Sequence, residues 1–161
     1  MPTLTFTADF AAPLEHVWEL YDNLDTLIAV TPPTTKVRIE NPPAKITAGS
    51  RFTLVVSQPP IYVPLKWETV IVDHEPPRRF VDEQGRFGPF AHWHHEHRFD
   101  PLSVELGGGT RLTDIVTYVP PFGILGKIAD ALFIRRQLVE MFAFRHKKTR
   151  ELLGETAPTK T

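Results

Sequence analysis

Residues 110–153, TRLTDIVTYVPPFGILGKIADALFIRRQLVEMFAFRHKKTRELL, change their apolar period once, and that change decides the fold. Up to Val119, Leu112, Asp114, Val116 and Tyr118 share one face of an alternating run, the pattern of a half-buried strand. Pro120-Pro121 ends it, because proline cannot donate to a sheet ladder. Beyond it, Leu125, Ile128, Leu132, Val139 and Phe142 recur at intervals that suit a helix from Phe122 to about Leu153. Gly154 is placed to stop that helix.

Upstream, the chain is divided by proline pairs at 32-33, 42-43, 59-60 and 76-77, each suited to a strand end or a connection. Between them lie extended runs at Thr35–Asn41, Ala48–Ser57, Val63–His74, Arg79–Gln84 and Ala91–Phe99. Leu4, Phe6, Ala8 and Phe10 alternate as a first strand. Pro13 suits the first turn of a short helix through Tyr21, with Leu14, Val17, Trp18 and Tyr21 on one side. Asp22 or Asn23 can cap a second short helix to Val30, closed by Thr31-Pro32-Pro33. One strand, two short helices, about six strands and one long helix give an α+β chain. The scarcity of β-α-β repeats argues against a parallel sheet, and a meandering antiparallel sheet buries its concave face by closing on itself or by accepting a helix, which the long apolar-striped helix supplies. The expected organisation is a single domain over 1–154 with a flexible tail over 155–161.

The chemistry collects between Phe80 and Tyr118. In Arg79–Gln84, Phe80, Asp82 and Gln84 share a face, and Phe80 turns it inward. In Ala91–Phe99, Trp93, His95, His97 and Phe99 share the face of the large aromatics. His92, His94, Glu96 and Arg98 take the other side, toward water. Three neighbouring strands are thus expected to deliver Asp82, Gln84, His95, His97, Asp114 and Tyr118 into one partly apolar interior. Buried carboxylates need partners, and Asp114 accepting from His95 or His97 would supply one and set a tautomer. Two readings stay open: a polar group that orients a ligand or takes part in catalysis, or an internal network that specifies strand register.

Several function classes are excluded or disfavoured. The 161 residues include no cysteine, which rules out disulfides, thiolate nucleophiles and Cys-ligated metal centres. Eighteen basic residues against nineteen acidic leave no global pull on nucleic acid or anionic membrane, so no nucleic-acid partner is expected. The one basic concentration, Arg145, His146, Lys147, Lys148 and Arg150, reads as the solvated end of the helix. No leader-like segment opens the chain and no apolar run approaches the ~20 residues of a membrane span, so no membrane insertion is expected and the cytoplasm is the default location. Ser50, Ser57 and Ser103 lack a nucleophile-elbow context, and Gly107-Gly108-Gly109 precedes a strand and not a phosphate-binding helix. His95 and His97 with Asp114 could make a three-ligand metal site, but the alternation keeps the four histidines from converging, and no metal or other cofactor is expected.

The ordered set Phe80, Asp82, Gln84, Gly88-Pro89-Phe90, Trp93, His95, His97, Phe99, then Thr110-Arg111-Leu112, Asp114, Val116, Tyr118 and Pro121, resembles the bacterial ligand-binding branch of the START/polyketide-cyclase (SRPBCC) superfamily. Thr31-Pro32-Pro33 and Phe142-x-x-Arg145 add to the resemblance, which spans essentially the whole chain. It implies a helix-grip fold, a seven-stranded curved antiparallel sheet around the C-terminal helix with two short helices after the first strand. It also implies a cavity for a lipid, polyketide or aromatic metabolite. The chain departs from the oxygenase branch in having no cysteine for a Rieske centre.

The expectation taken to the structure is binding of an apolar or amphipathic small molecule for carriage, sensing or sequestration. Leu125, Ile128, Leu132 and Phe142 would face Phe80, Trp93 and Phe99 across the ligand, with the polar residues orienting it. The short helices would be the gate, and Pro59–Pro64 either part of the mouth or a rigid connection. The alternative is a cyclase- or dehydratase-type enzyme using His95, His97 and Asp114 as general acid and base. A protein-interaction module built on the basic helix end ranks below both.

Overall fold

The computed structural model describes residues 1–59 and 62–155. Seven strands form one antiparallel sheet: β1 (Thr3–Phe10), β2 (Lys36–Glu40), β3 (Arg51–Ser57), β4 (Leu65–Glu75), β5 (Arg79–Gln84), β6 (His92–Pro101) and β7 (Thr110–Val119). Their order across the sheet is β1-β7-β6-β5-β4-β3-β2, a meander whose first strand joins the last. Every expected extended run overlaps one of these strands. The expected mouth or rigid connection at Pro59–Pro64 includes residues 60 and 61, which lie outside the described residues. A bulge between Ile71 and Asp73 interrupts the β4–β5 register and adds local twist to the curved sheet.

The helices α1 (Leu14–Tyr21) and α2 (Leu24–Ala29) follow β1. Asn23 is the cap of α2, its Oδ1 accepting the Asp25 amide at 2.9 Å, while Asp22 pairs with His74 Nε2 at 2.8 Å. Leu14, Val17 and Trp18 of α1 pack with Phe10, Phe80, Phe99 and Leu112. The Trp18 ring meets Phe99 edge-on at 5.3 Å between centroids. At this end of the sheet, where the short helices were expected to form the gate, apolar side chains fill the space beneath α1. Gly109, at φ +94°, belongs there too, because a Cβ would strike the Phe10 carbonyl.

The long C-terminal helix is made of three pieces, α3 (Gly123–Ala129), a π-helical turn (Asp130–Ile134) and α4 (Arg135–Leu152). Gly154 stops it as expected, at φ +73°. The buried stripe of α4 is Leu138, Phe142, Arg145 and Thr149, and Phe142 stacks on Phe6 of β1 at 4.3 Å. This stripe is phased differently from the expected one. Val139 is exposed, and Leu125, Ile128 and Leu132 are 72%, 52% and 61% exposed. Apolar residues at 138, 139, 141 and 142 leave the phase open in sequence, and the π turn shifts whatever precedes it around the helix axis. The expected tail begins with Glu155, whose carboxylate accepts the Ala12 amide at 3.0 Å; residues 156–161 lie outside the described residues. Among the described residues no helix is long and apolar enough to cross a membrane.

Candidate functional site

Strand register assembles the site. Asp82 on β5 stands directly opposite His95 on β6, and His97 stands opposite Asp114 on β7. Side chains opposite and diagonal on one face of a sheet reach each other, so the four residues close into a ring. Asp82 Oδ1 lies 3.3 Å from both His95 Nδ1 and His97 Nε2. Asp114 Oδ1 lies 3.1 Å from His95 Nε2 and 2.8 Å from His97 Nδ1. The last of these is short but off the N–H direction, and His97 Nδ1 makes no hydrogen bond among the described residues. The two imidazole centroids are 3.8 Å apart.

Neighbouring side chains hold the ring from several directions. Trp93 Nε1 donates to Asp82 Oδ2 at 3.1 Å, and Phe80 stacks on His97 at 4.0 Å. From α4, His146 brings Nε2 to 2.7 Å from Asp114 Oδ2, and Phe142 sets its edge toward His95. Asp114 is fully buried and the side chains of His95 and His97 nearly so; the Asp82 side chain keeps 16% exposure. Burial alone would raise the carboxyl pKa values. The neighbouring His95 and His97 hold Asp82 well below the usual carboxylate range, and hydrogen bonds from His146 and His95, with His97 close by, do the same for Asp114. Burial alone would lower the His95 pKa, but Asp82 and Asp114 bring it above the usual histidine value.

The structure brings Asp82, Trp93, His95, His97 and Asp114 together, as the alternation indicated, and leaves other expected site residues elsewhere. Gln84 clamps the β5–β6 connection, donating to the Phe90 carbonyl at 2.6 Å and accepting the Phe90 amide at 3.1 Å. Phe99 belongs to the α1 core. Tyr118 donates to Asp130 Oδ1 at 2.7 Å, tying β7 to the start of the π turn. Leu125, Ile128 and Leu132 stand away from the cluster in solvent.

His146 is the site residue that sequence reasoning missed. The basic run was expected to be solvated throughout, yet Arg145 is buried and the His146 side chain is 12% exposed. A signal was available, because 146 is four residues after Phe142 and 145 three, which puts both beside the buried stripe. On the outward face, Glu96 is buried as well, bonded by Arg79 and Arg98.

Two further polar groups lack partners. Trp67 Nε1 and Arg145 Nε are buried without a hydrogen bond among the described residues. Trp67 packs edge-on against Trp93 at 5.0 Å, and the Arg145 guanidinium lies 5.2 Å from the Phe142 ring centroid. Two surface depressions, of about 270 and 340 Å3, lie away from the cluster. One is lined by Arg51, Val70 and Glu83, the other by His16, Asn23 and Leu152 among others. As for a metal, Asp82, His95 and His97 each offer a ligand atom, all within 4.8 Å of one another.

Residues 10–146 match the family model described as polyketide cyclase/dehydrase and lipid transport. No curated protein matches the chain. Protein Ms6760 from Mycobacterium smegmatis is 22% identical, with 94% of this chain and 90% of that chain covered and a TM-score of 0.69. CV1439 from Chromobacterium violaceum is 12% identical over 96% of this chain and 98% of that chain, with a TM-score of 0.73. TTHA0849 from Thermus thermophilus is 20% identical over 96% of this chain and 100% of that chain, with a TM-score of 0.68. At these identities the solved structures establish the helix-grip fold.

Proposed function

Because this chain belongs to the polyketide cyclase/dehydrase and lipid-transport family, we propose that it binds an apolar or amphipathic small molecule between the C-terminal helix and the concave face of the sheet. The observation that carries the reading is the pair of buried, unpartnered donors, Trp67 Nε1 and Arg145 Nε, among aromatic side chains. An N–H buried without an acceptor costs about 1–3 kcal/mol, and a charged donor more. A ligand with an apolar body and an acceptor oxygen at either donor would remove that donor's cost while covering aromatic surface.

Access runs through α3. Phe122, Ile124, Leu125, Ile128, Leu132 and Phe133 are all exposed around the segment before α4. That segment starts with two left-handed residues, Phe122 and Gly123, and ends at the π turn. It is tied to the sheet by the Tyr118–Asp130 hydrogen bond and by Gly126, whose missing Cβ makes room for the Pro121 carbonyl. Closing α3 over a ligand would bury Leu125, Ile128 and Leu132 and give them the lining role that their sequence pattern suggested. Phe80, Asp82, Trp93, His95, His97, Asp114 and Tyr118 would form the floor beneath it.

Native mass spectrometry of freshly purified protein, followed by solvent extraction, tests the reading. The expected result is a stoichiometric organic adduct that is lost on unfolding. If the protein carries none, and anilinonaphthalene sulfonate gains no fluorescence that fatty acids, polyketides or aromatic acids displace, the reading is rejected.

A second reading, general acid–base catalysis by His95, His97 and Asp114, is favoured by the Asp82 edge of the cluster, its one partly open side. Turnover that falls on replacing His95 or His97 while ligand affinity survives would establish it.

A further inference from the structure

We propose that Asp82, His95 and His97 form a binding site for one divalent transition-metal ion of the zinc class, with Asp114 as its outer carboxylate. The inference is independent of the apolar ligand and concerns only the ring of side chains on β5, β6 and β7.

Two of the three inner separations fit as they stand, and the three ligand atoms all lie within 4.8 Å of one another. Zinc bonds to imidazole nitrogen and carboxylate oxygen of about 2.0–2.2 Å, arranged tetrahedrally, set ligand atoms roughly 3.3–3.5 Å apart. Asp82 Oδ1 is 3.3 Å from His95 Nδ1 and 3.3 Å from His97 Nε2. Two imidazoles with one carboxylate suit zinc, cobalt or nickel and not magnesium or calcium. Three protein ligands leave a fourth position for water or a bound molecule, on the side where Asp82 is open.

The outer geometry fits as well. A metal-bound histidine ordinarily donates its other ring N–H to a carboxylate or carbonyl, and a metal-bound carboxylate is itself hydrogen-bonded. Here the remaining nitrogens of both rings face Asp114 Oδ1, at 3.1 and 2.8 Å. The second Asp82 oxygen accepts from Trp93 Nε1, and the second Asp114 oxygen accepts from His146 Nε2. A small turn of the His97 ring would direct its unpartnered Nδ1–H at Asp114.

The charge balance of the ring also suits a cation. All four ring nitrogens of His95 and His97 face carboxylate oxygens. Donation at every one would need two doubly protonated imidazoles with ring centroids 3.8 Å apart in the core. A dication beside Asp82 relieves this. Each ring is then neutral, keeps one N–H for Asp114, and the +2 ion balances the two buried carboxylates.

The test is a titration of chelator-stripped, dialysed protein with zinc and with cobalt(II), followed by calorimetry and by visible absorption. The expected result is one equivalent bound, with the intense visible bands of four-coordinate cobalt. Asp82→Asn should weaken binding at least 100-fold, and Asp114→Asn, through the outer shell, roughly 10–100-fold. A His92→Ala/His94→Ala double variant, which removes the outward histidines, should bind as the unchanged protein does. Should the aspartate variants fail to fold, nitrogen-15 histidine spectra of the unchanged protein replace them. One equivalent of zinc must then shift His95 Nδ1 and His97 Nε2 and leave both rings singly protonated. No stoichiometric binding, binding lost with His92 and His94, or binding at full strength in folded Asp82→Asn each overturns the proposal.

Discussion

His146 Nε2 lies 2.7 Å from Asp114 Oδ2, joining the last helix to the last strand through a carboxylate with no exposure to solvent. The contact sits beside an apolar cluster to which α4 gives Leu138 and Phe142 and β7 gives Val116 and Tyr118, and it adds a directional bond between the two elements. It also sets Asp114 against three histidines, accepting from His95 and His146 with His97 Nδ1 2.8 Å away, which decides how the protein should respond to mutation and to pH.

Removing that acceptor leaves buried donors without a partner. Asp114→Ala should cost about 3–5 kcal/mol, the usual consequence of stripping one side from a buried charged pair. Urea unfolding checks it. A loss below about 1 kcal/mol would show that the carboxylate does not carry its charge in the folded protein.

The cluster should stabilise the fold most in mildly acidic solution. The His95 pKa is raised on folding, so its contribution is complete below about pH 6.5 and fades as pH climbs through the folded value. The Asp82 and Asp114 pKa values are lowered on folding, so their contribution is complete above about pH 4 and disappears as pH falls toward the folded values. Thermal midpoints of metal-free protein should therefore be highest between about pH 4 and 6.5. His95→Asn should flatten the decline above that range, and an unchanged slope would assign the decline to other groups.

Trp67→Phe separates ligand binding from stability. The substitution removes a buried N–H that has no acceptor, so the ligand-free protein should lose less than about 1 kcal/mol despite the smaller ring. Affinity for a bound amphipath should fall by about tenfold, the value of one hydrogen bond. Equal affinity in a folded variant would remove Trp67 from the site.

Leu125, Ile128 and Leu132 make the opposite test. As exposed side chains they should tolerate serine with changes within about 0.5 kcal/mol each. If α3 closes over the ligand, the triple serine variant should still lose most ligand retention in native mass spectrometry. Retention unaltered by the triple change would show that α3 is not the cover.

Much of the fold was legible because period and punctuation agree along the chain. Alternation in β1, β6 and β7, the proline pairs between strands, and Gly154 after the helix each named an element that the structure contains. The inward face of β6 was legible for the same reason, since Trp93 and Phe99 fix which side of the strand is buried and His95 and His97 share it. The helix was harder to read. Apolar residues occur all round residues 122–144, so no single stripe stands out, and a π turn alters the phase without any signal in composition.

By itself, then, the sequence determined the strand meander, the final helix and the set of polar residues that point inward from β5, β6 and β7, because side-chain alternation in a strand is a local property of the backbone. The tertiary structure decided which of those residues meet and what joins them. Cross-strand register put Asp82 beside His95 and His97 beside Asp114, and the packing of α4 carried His146 from an apparently solvated basic run into the core. Register and helix phase depend on contacts between residues far apart in the chain, and only the folded protein brings those residues together.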